Sequence, residues 1–431
     1  MILRVCEKIA FSHAYLYTYT KQMTSGGDQV NIGIFTDSYF PQVSGVATSI
    51  KTLKDDLERK GHQVYIFTTT DPHVPDDAVE PNLFRFTSVP FVSFTDRRIA
   101  VRGLFHAYAV AKELNLDIVH TQTEFSMGYI GKFVAKQLKI PTIHTYHTMY
   151  EDYLHYVLNG HLLKPYHVKQ FTRAFLYHVS GVIAPSERVY DTLRRYGVKT
   201  DIKIIPTGVD LTQFAEQKDP HLREKLGLAD VPVLVSLSRV AYEKRIDKLI
   251  SAMPAILAQI PKAVLLIVGD GPAREDLEAQ AAELGIADHV RFTGEIDHDD
   301  VGDYYRVGDV FVSASDSESQ GLTYIEAMAA DRKVVALAGD YTDQLLDDPA
   351  LGTTFTTEAE MVHQVVNYLK HPNAYDDPKP RTEKLVAISA DRFGDRVLDF
   401  YRDVISHYSP NEADETVPWT DESSSKRTMK G

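Results

Sequence analysis

The chain is predicted to fold as an α/β protein made of two doubly wound domains that face one another across a cleft. Three observations lead there. Short β-rich runs alternate with segments of helical period from Asn31 onward. That rhythm restarts after TGVDLTQF (207–214). A chain of 431 residues, 44% of them hydrophobic, can bury two cores without disulfide or metal staples.

In order along the chain, NIGIFT (31–36) reads as a strand. Residues 45–60 read as a helix, with Val46, Ile50, Leu53 and Leu57 at helical spacing and a stop at Gly61, and QVYIFTTT (63–70) as the next strand. This is a βαβ unit. DIVHTQ (117–122), PTIHTYH (141–147), GVIAPS (181–186) and IKIIP (202–206) continue the first domain, with helices between them. The second domain offers VPVLVSLS (231–238), AVLLIVG (263–269), HVRFTG (289–294), DVFVSAS (309–315) and KVVALA (333–338). Such alternation implies parallel sheets covered on both faces, with ligands bound outside the carboxyl ends of the strands. The expected domains are 30–206 and 207–390, followed by a helix over 391–408 that packs back toward the first domain. Residues 409–431, rich in Pro, Ser and Glu, read as a disordered tail. Residues 1–22 read as an extension ahead of the core, a native amphipathic arm being the other reading.

The net charge of −14 argues against generic nucleic-acid binding. It is unevenly spread: residues 1–206 carry 23 Lys and Arg against 19 Asp and Glu, and residues 207–431 carry 23 against 41. One half can approach an anionic surface that repels the other. The single cysteine, Cys6, excludes an internal disulfide or a Cys-based zinc site and fits a reducing compartment. No run approaches the roughly 18 apolar residues of a spanning helix. Arg4, Glu7, Lys8 and His13 make the amino end a poor signal peptide. A cytoplasmic protein with at most peripheral membrane contact is expected.

Four places carry candidate chemistry. Ser44, Gly45 and Val46 open the first helix; a glycine there lets backbone N–H groups reach a phosphate or sugar, although a plain tight turn explains it equally well. Arg239 and Lys244 leave the first strand of the second domain on a loop, where two fixed cations suit a leaving diphosphate, although a solvated loop explains them equally well. Glu318 in a loop and Glu326 one turn into the next helix flank the helix start at Gly321 and Leu322. Two carboxylates can thus hold hydroxyls beside free N–H groups that receive phosphate. His147 lies at the end of PTIHTYH, on the opposite strand face from His144 if that strand is regular. No histidine shows metal-ligand spacing, so no metal is assigned.

Together these residues resemble the retaining glycosyltransferases of the GT-B fold, family 4, across nearly the whole chain from Asn31 to Tyr408. The likeness rests on E-x7-E (Glu318 to Glu326), R-x4-K (Arg239, Lys244), S-G-V and V-G-D-G-P (268–272), in the family's order. FTDSYFPQVSGVATSIKTL, HTYHTMYEDYLHY and ESQGLTYIEAMA look most like the bacterial diacylglycerol glucosyltransferases within it. The resemblance implies two Rossmann-like domains and transfer of glucose from UDP-glucose to diacylglycerol, with retention. It implies that Arg239 and Lys244 bind the diphosphate and that Glu326 holds the ribose. Glu318 would touch a sugar hydroxyl, beside the backbone of Gln320, Gly321 and Leu322. Gly45 would leave room for the diphosphate and sugar, His147 would lie against the sugar, and the Ile296 backbone would meet the base. The family often has Phe-Gly where this chain has Gln320-Gly321, which bears on sugar preference. No cofactor is required, and stimulation by Mg²⁺ is left open.

Three other readings compete: a family 4 transferase with another acceptor, a nucleotide-sugar 2-epimerase of the same two-domain fold, and a non-catalytic nucleotide-sugar sensor. The joint presence of Arg239, Lys244, Glu318 and Glu326 argues against the sensor. A lipid acceptor needs a membrane contact on the inner face of the cell membrane. The segment 160–178 offers Lys164, Lys169 and Arg173 for an anionic bilayer, with Phe171 and Phe175 among the apolar contacts; a core helix with a solvated basic face is the alternative.

Overall fold

The computed structural model describes residues 29–42, 44–75, 80–91, 94–151, 164–214, 216–318 and 320–410. The expected extension at 1–22 and nearly all of the expected tail lie outside them.

The first domain holds a seven-stranded parallel sheet. Its strands are β1 (Asn31–Phe35), β2 (Gln63–Thr69), β3 (Leu83–Phe86), β6 (Ile118–Thr121), β7 (Thr142–Thr145), β8 (Gly181–Ala184) and β9 (Ile202–Ile204). Their order is β3-β2-β1-β6-β7-β8-β9. A separate antiparallel hairpin pairs β4 (Ser88–Phe91) with β5 (Phe94–Ala100). The second domain has six parallel strands: β10 (Val233–Leu237), β11 (Val264–Val268), β12 (Val290–Phe292), β13 (Val310–Ser313), β14 (Lys333–Leu337) and β15 (Gly352–Phe355). They are arranged β12-β11-β10-β13-β14-β15. Each sheet therefore reverses direction once, at β1/β6 and at β10/β13, and these reversals open the crevices in which doubly wound sheets hold ligands.

The chain crosses between the domains twice, side by side. The Val209 N–H donates to the Ile388 carbonyl at 3.1 Å, and the Ala390 N–H to the Val209 carbonyl at 3.0 Å. After the second crossing the Ala390–His407 helix returns to the first domain. It buries Phe393, Val397, Leu398, Phe400, Tyr401 and Val404 against Ile32, Ile34, Ile50 and Leu53. Gly394 lets it approach the Gly45–Arg59 helix, because a Cβ there would overlap the buried Asp56 carboxylate. Burial pushes the Asp56 carboxyl above its usual range even though Lys60 sits 2.8 Å away.

Three features depart from the expected string of elements. β3 and β15 are edge strands whose sequences, LFRF and GTTF, lack a long apolar run, and the β4/β5 hairpin lies off both sheets. The strand expected to reach His147 ends at Thr145, so His147 stands on the loop beyond it.

Candidate active site

Four loops leave the strands at the two reversals, and every candidate cluster lies on one of them or on the helix that follows it except His147, which follows β7, the base-side residue Ile296 and the membrane segment. In the second domain, the loop after β10 carries Arg239 and Lys244. The residues VGDGP shape it: Val240 N–H donates to the Asp270 carbonyl at 2.9 Å, and a Cβ on Gly269 would strike the Ser238 carbonyl. Arg239 is exposed at the cleft end of its strand, and Lys244 is partly buried. Lys244 Nζ lies 2.5 Å from Glu318 Oε1. Burial pushes the Glu318 carboxyl up, but the Lys244 ammonium, a Ser315 hydrogen bond and the Arg188 guanidinium outweigh it and hold the group below its ordinary value.

Glu318 belongs to the loop after β13, which ends at the Leu322–Ala329 helix. Gly321 turns the chain into that helix at φ 65°, where a Cβ would meet the Tyr324 ring. Glu326 accepts from the Tyr305 hydroxyl at 2.8 Å and is raised above its usual range by burial. It lines, with Leu322 and His298, a cavity of about 500 Å³ that Thr48, Lys51 and Thr52 of the first domain close from the other side, and residues 208–214 complete it at the crossing.

In the first domain, Ser44 caps the Gly45–Arg59 helix by accepting from the Ala47 N–H at 3.2 Å. A Cβ on Gly45 would meet nothing closer than Leu322 Cδ1 at 4.0 Å. Packing therefore does not demand a glycine, and its bareness keeps open the space between the two helix starts. The loop after β6 carries Gln122 and Glu124. His147 Nε2 lies 2.6 Å from Gln122 Oε1, and burial, with His144 nearby, pushes the His147 imidazole down to about 3. Glu124 is buried, facing His144 Nε2 at 3.2 Å and the Tyr150 hydroxyl.

The structure thus brings Gly45, Glu326 and Leu322 to one cleft, with Lys244 and Glu318 paired at it. The expectation for Gln320 concerns its backbone; its side chain is engaged elsewhere, the amide accepting from the Thr207 N–H and donating to the Thr207 carbonyl, both at 2.7 Å. Ile296 packs its side chain against the second core, two residues before the cavity-lining His298. Phe175 is a correction. It is buried, its ring 4.9 Å from His144 and 5.2 Å from Tyr129, so it is core and not a membrane contact. Phe171 is exposed, as is Lys164, while Lys169 and Arg173 are partly buried. Residues 160–163 of that segment lie outside the described residues.

Sequence reading missed Gln122, Glu124, Lys51, His298 and Arg188. Arg188 reaches across from the first domain and donates to the Glu318 carbonyl at 2.8 Å. The loop QTEF directly after a strand was the available signal for the first two. Among the described residues, no three His, Cys, Asp or Glu are grouped to hold a metal ion, and no helix is long and apolar enough to cross a membrane.

Residues 43–213 match the family described as Glycosyltransferase Family 4, and residues 218–384 match Glycosyl transferases group 1. The alpha-monoglucosyldiacylglycerol synthase of Streptococcus pneumoniae is 47% identical over 384 residues, covering 87% of this chain and 86% of that protein. The chain belongs to glycosyltransferase family 4. The Acholeplasma laidlawii protein of the same name is 32% identical, covering 84% of this chain and 96% of its own. Among solved structures, sucrose-phosphate synthase from Thermosynechococcus elongatus superposes with a TM-score of 0.71 at 24% identity, covering 88% of this chain and all of that one. Anabaena HepE in complex with UDP-glucose superposes at 0.68 and 16% identity, covering 86% and 99%. These likenesses give the family 4 transferase its GT-B fold of two Rossmann-like domains.

Proposed function

We propose that this hexosyltransferase moves glucose from UDP-glucose to the free hydroxyl of 1,2-diacylglycerol, giving α-monoglucosyldiacylglycerol. The observation that carries the reading is the meeting of Leu322 and Glu326 with Thr48, Lys51 and Thr52 at one interdomain cavity, with Gly45 beside Leu322, in a chain 47% identical to a protein named for that product. The ribose hydroxyls bind Glu326, whose remaining lone pairs face the cavity, and the base lies toward Ile296 and His298. Arg239 and Lys244 neutralise the diphosphate. Glu318, held by Lys244 until donor arrives, accepts from a sugar hydroxyl, and His147 lies on the sugar's other side.

The bond from the acceptor oxygen to the anomeric carbon forms on the face from which the phosphate oxygen departs. UDP leaves with the electron pair, and its phosphate takes the acceptor proton. The described acids do not favour a covalent glycosyl intermediate: Glu318 is engaged by Lys244, and Glu124 is buried behind Tyr150 and His144. The protein sits peripherally on the inner face of the membrane through its first domain. There Tyr166, Phe171, Tyr129 and Phe105 are exposed, and residues 164–178 hold three Lys or Arg and no acid.

Incubation with UDP-glucose, with and without diacylglycerol vesicles, tests this. UDP release that requires the lipid and yields a lipid-linked α-glucoside is expected. Release or isomerisation of the nucleotide sugar without lipid would overturn it in favour of an epimerase-like reaction.

A further inference from the structure

We propose that Gln122 is a positioning residue that holds His147 neutral, with its proton on Nε2, so that Nδ1 is presented as a hydrogen-bond acceptor to a donor-sugar hydroxyl. The part about the sugar rests on the reading above; the part about the proton stands on the network alone.

The orientation of the Gln122 amide decides the matter, and its surroundings fix that orientation. One end of the amide lies 2.6 Å from His147 Nε2, and the other lies 3.1 Å from both ring nitrogens of His120. The His120 ring is fully buried and occupied at its edges: Tyr401 Oη stands 2.7 Å from Nδ1, and Thr145 Oγ1 stands 2.7 Å from Nε2. Burial, with His144 and His147 near, holds it well below its ordinary range, so it is a neutral ring. With both in-plane directions taken, an amide end equidistant from the two ring nitrogens lies over the ring face, whose π electrons suit N–H and disfavour a carbonyl oxygen. The Gln122 carbonyl therefore faces His147. A carbonyl oxygen only accepts, so His147 Nε2 carries hydrogen, and a neutral imidazole then has its lone pair on Nδ1.

Three elements hold the amide in place. Gln122 follows β6, Thr145 ends β7, and Tyr401 comes from the Ala390–His407 helix, which reaches this point only after the chain has passed through the second domain. Packed around these rings are His144, its nitrogens turned to Thr121 and Glu124, and the phenols of Tyr146 and Tyr150, the latter on Glu124. Glu124 is directed at His144 and Tyr150, whereas His147 Nε2 meets the uncharged Gln122.

The test is a long-range ¹H–¹⁵N spectrum of the full-length protein, with His147 assigned by comparison with His147→Gln. The parent is expected to show hydrogen on Nε2 only, with no titration between about pH 5 and 8. Gln122→Glu places a carboxylate against Nε2 and is expected to bring a doubly protonated His147 into that window. Turnover should then fall on the acid side, where the parent's holds steady, because an imidazolium no longer offers an acceptor. Gln122→Leu is expected to lose the single tautomer and to lower kcat by about 10- to 100-fold, as a misplaced contact does, with little change in UDP affinity. Hydrogen on Nδ1 in the parent, or an imidazole already titrating near neutrality, would overturn the proposal. So would Gln122→Leu with a scrambled tautomer and full turnover. If the parent shows the expected tautomer but His147→Gln is fully active, the sugar contact falls while the proton assignment holds.

Discussion

The two walls of the cleft differ in chemistry at the candidate residues, although Lys51 and Arg188 bring charge from the first domain as well. The second domain offers charges near strand ends and helix starts: Arg239, Lys244 and Glu318 on loops, and Glu326 in the first turns of the Leu322–Ala329 helix. The first domain places a bare glycine and a hydrogen-bonded set of imidazole, amide and hydroxyl groups, His147, Gln122, His120 and Thr145, behind which lie a sheet and a helix from the chain's far end. One wall can neutralise a diphosphate, and the other can fix the shape of an uncharged sugar. The cations of the second-domain wall stand out against a half of the chain in which acids predominate, residues 207–431 carrying 23 Lys and Arg against 41 Asp and Glu.

The contrast breaks most severely at Lys244. Lys244→Ala should lower kcat by roughly 10²- to 10³-fold, and Arg239→Ala comparably, as removing an electrostatic stabiliser of a leaving group does. The circular dichroism spectrum should be unchanged, since both residues lie on a cleft loop. Normal turnover in either variant would remove the diphosphate assignment. Next comes Glu326→Ala, which should weaken UDP binding by about 1.5–3 kcal/mol through loss of a charged hydrogen bond to ribose. Tyr305→Phe is the control: it frees the carboxylate oxygen that the phenol now occupies, so calorimetry should show a smaller loss, about 1 kcal/mol. Equal losses would mean that Glu326 serves the second core rather than the ligand.

The same contrast explains what could be read from sequence. A pair of carboxylates flanking a helix start has few structural reasons, so Glu318 and Glu326 are legible in the sequence, whereas Arg239 and Lys244 read equally well as a solvated loop until the resemblance is added. Gln122 is not legible, because an amide after a strand is ordinary and its meaning depends on His147, 25 residues away, and on Tyr401, 279 residues away. Phe175 misled for a related reason. Helical periodicity marks an apolar face without saying whether core or lipid covers it, and here His144 and Tyr129 cover it. The strands with long apolar runs were legible. The edges β3 and β15 were not, since a strand paired on one side can be short and mixed.

The first domain also depends on a chain end that comes from beyond the second, and Gly394 probes that dependence. Gly394→Ala should destabilise the first domain by about 1–3 kcal/mol, since the added methyl must displace the buried Asp56 carboxylate or push the Ala390–His407 helix outward. Gly339→Ala is the comparison within the second domain. Its Cβ would lie 3.6 Å from Thr342 Oγ1, an ordinary contact at an extended backbone, so stability should move by less than about 0.5 kcal/mol. Differential scanning calorimetry would show the earliest transition shifting down in the first variant alone. Identical thermograms would mean that the helix is not part of the first domain's cooperative unit.

The smallest effect per residue, and the one that sharpens the comparison at long range, concerns the bilayer. If the first domain approaches an anionic leaflet, its cations act there and the acids of the second domain keep that domain away. Lys164, Lys169 and Arg173 lie on or beside the Pro165–Leu176 helix, which turns Val168, Phe175 and Leu176 inward and leaves Tyr166 and Phe171 outward. Phe171 rests 6.2 Å from Phe125, so its contact continues toward the exposed Tyr129 on the neighbouring Ser126–Leu138 helix. Each cation near the surface contributes about 1 kcal/mol at low ionic strength, less for the two that are partly buried, and salt screens it within a Debye length. Changing the three together to Ser should weaken sedimentation with anionic vesicles at low salt and leave little difference at high salt. Lipid glucosylation should fall with it while UDP affinity stays at the parent's value, because the charged wall of the cleft is untouched. Equal vesicle binding by the triple variant and the parent would move the contact elsewhere on the first domain. Indifference of the parent to anionic lipid would leave the exposed aromatic residues, and not charge, as what brings the protein to its acceptor.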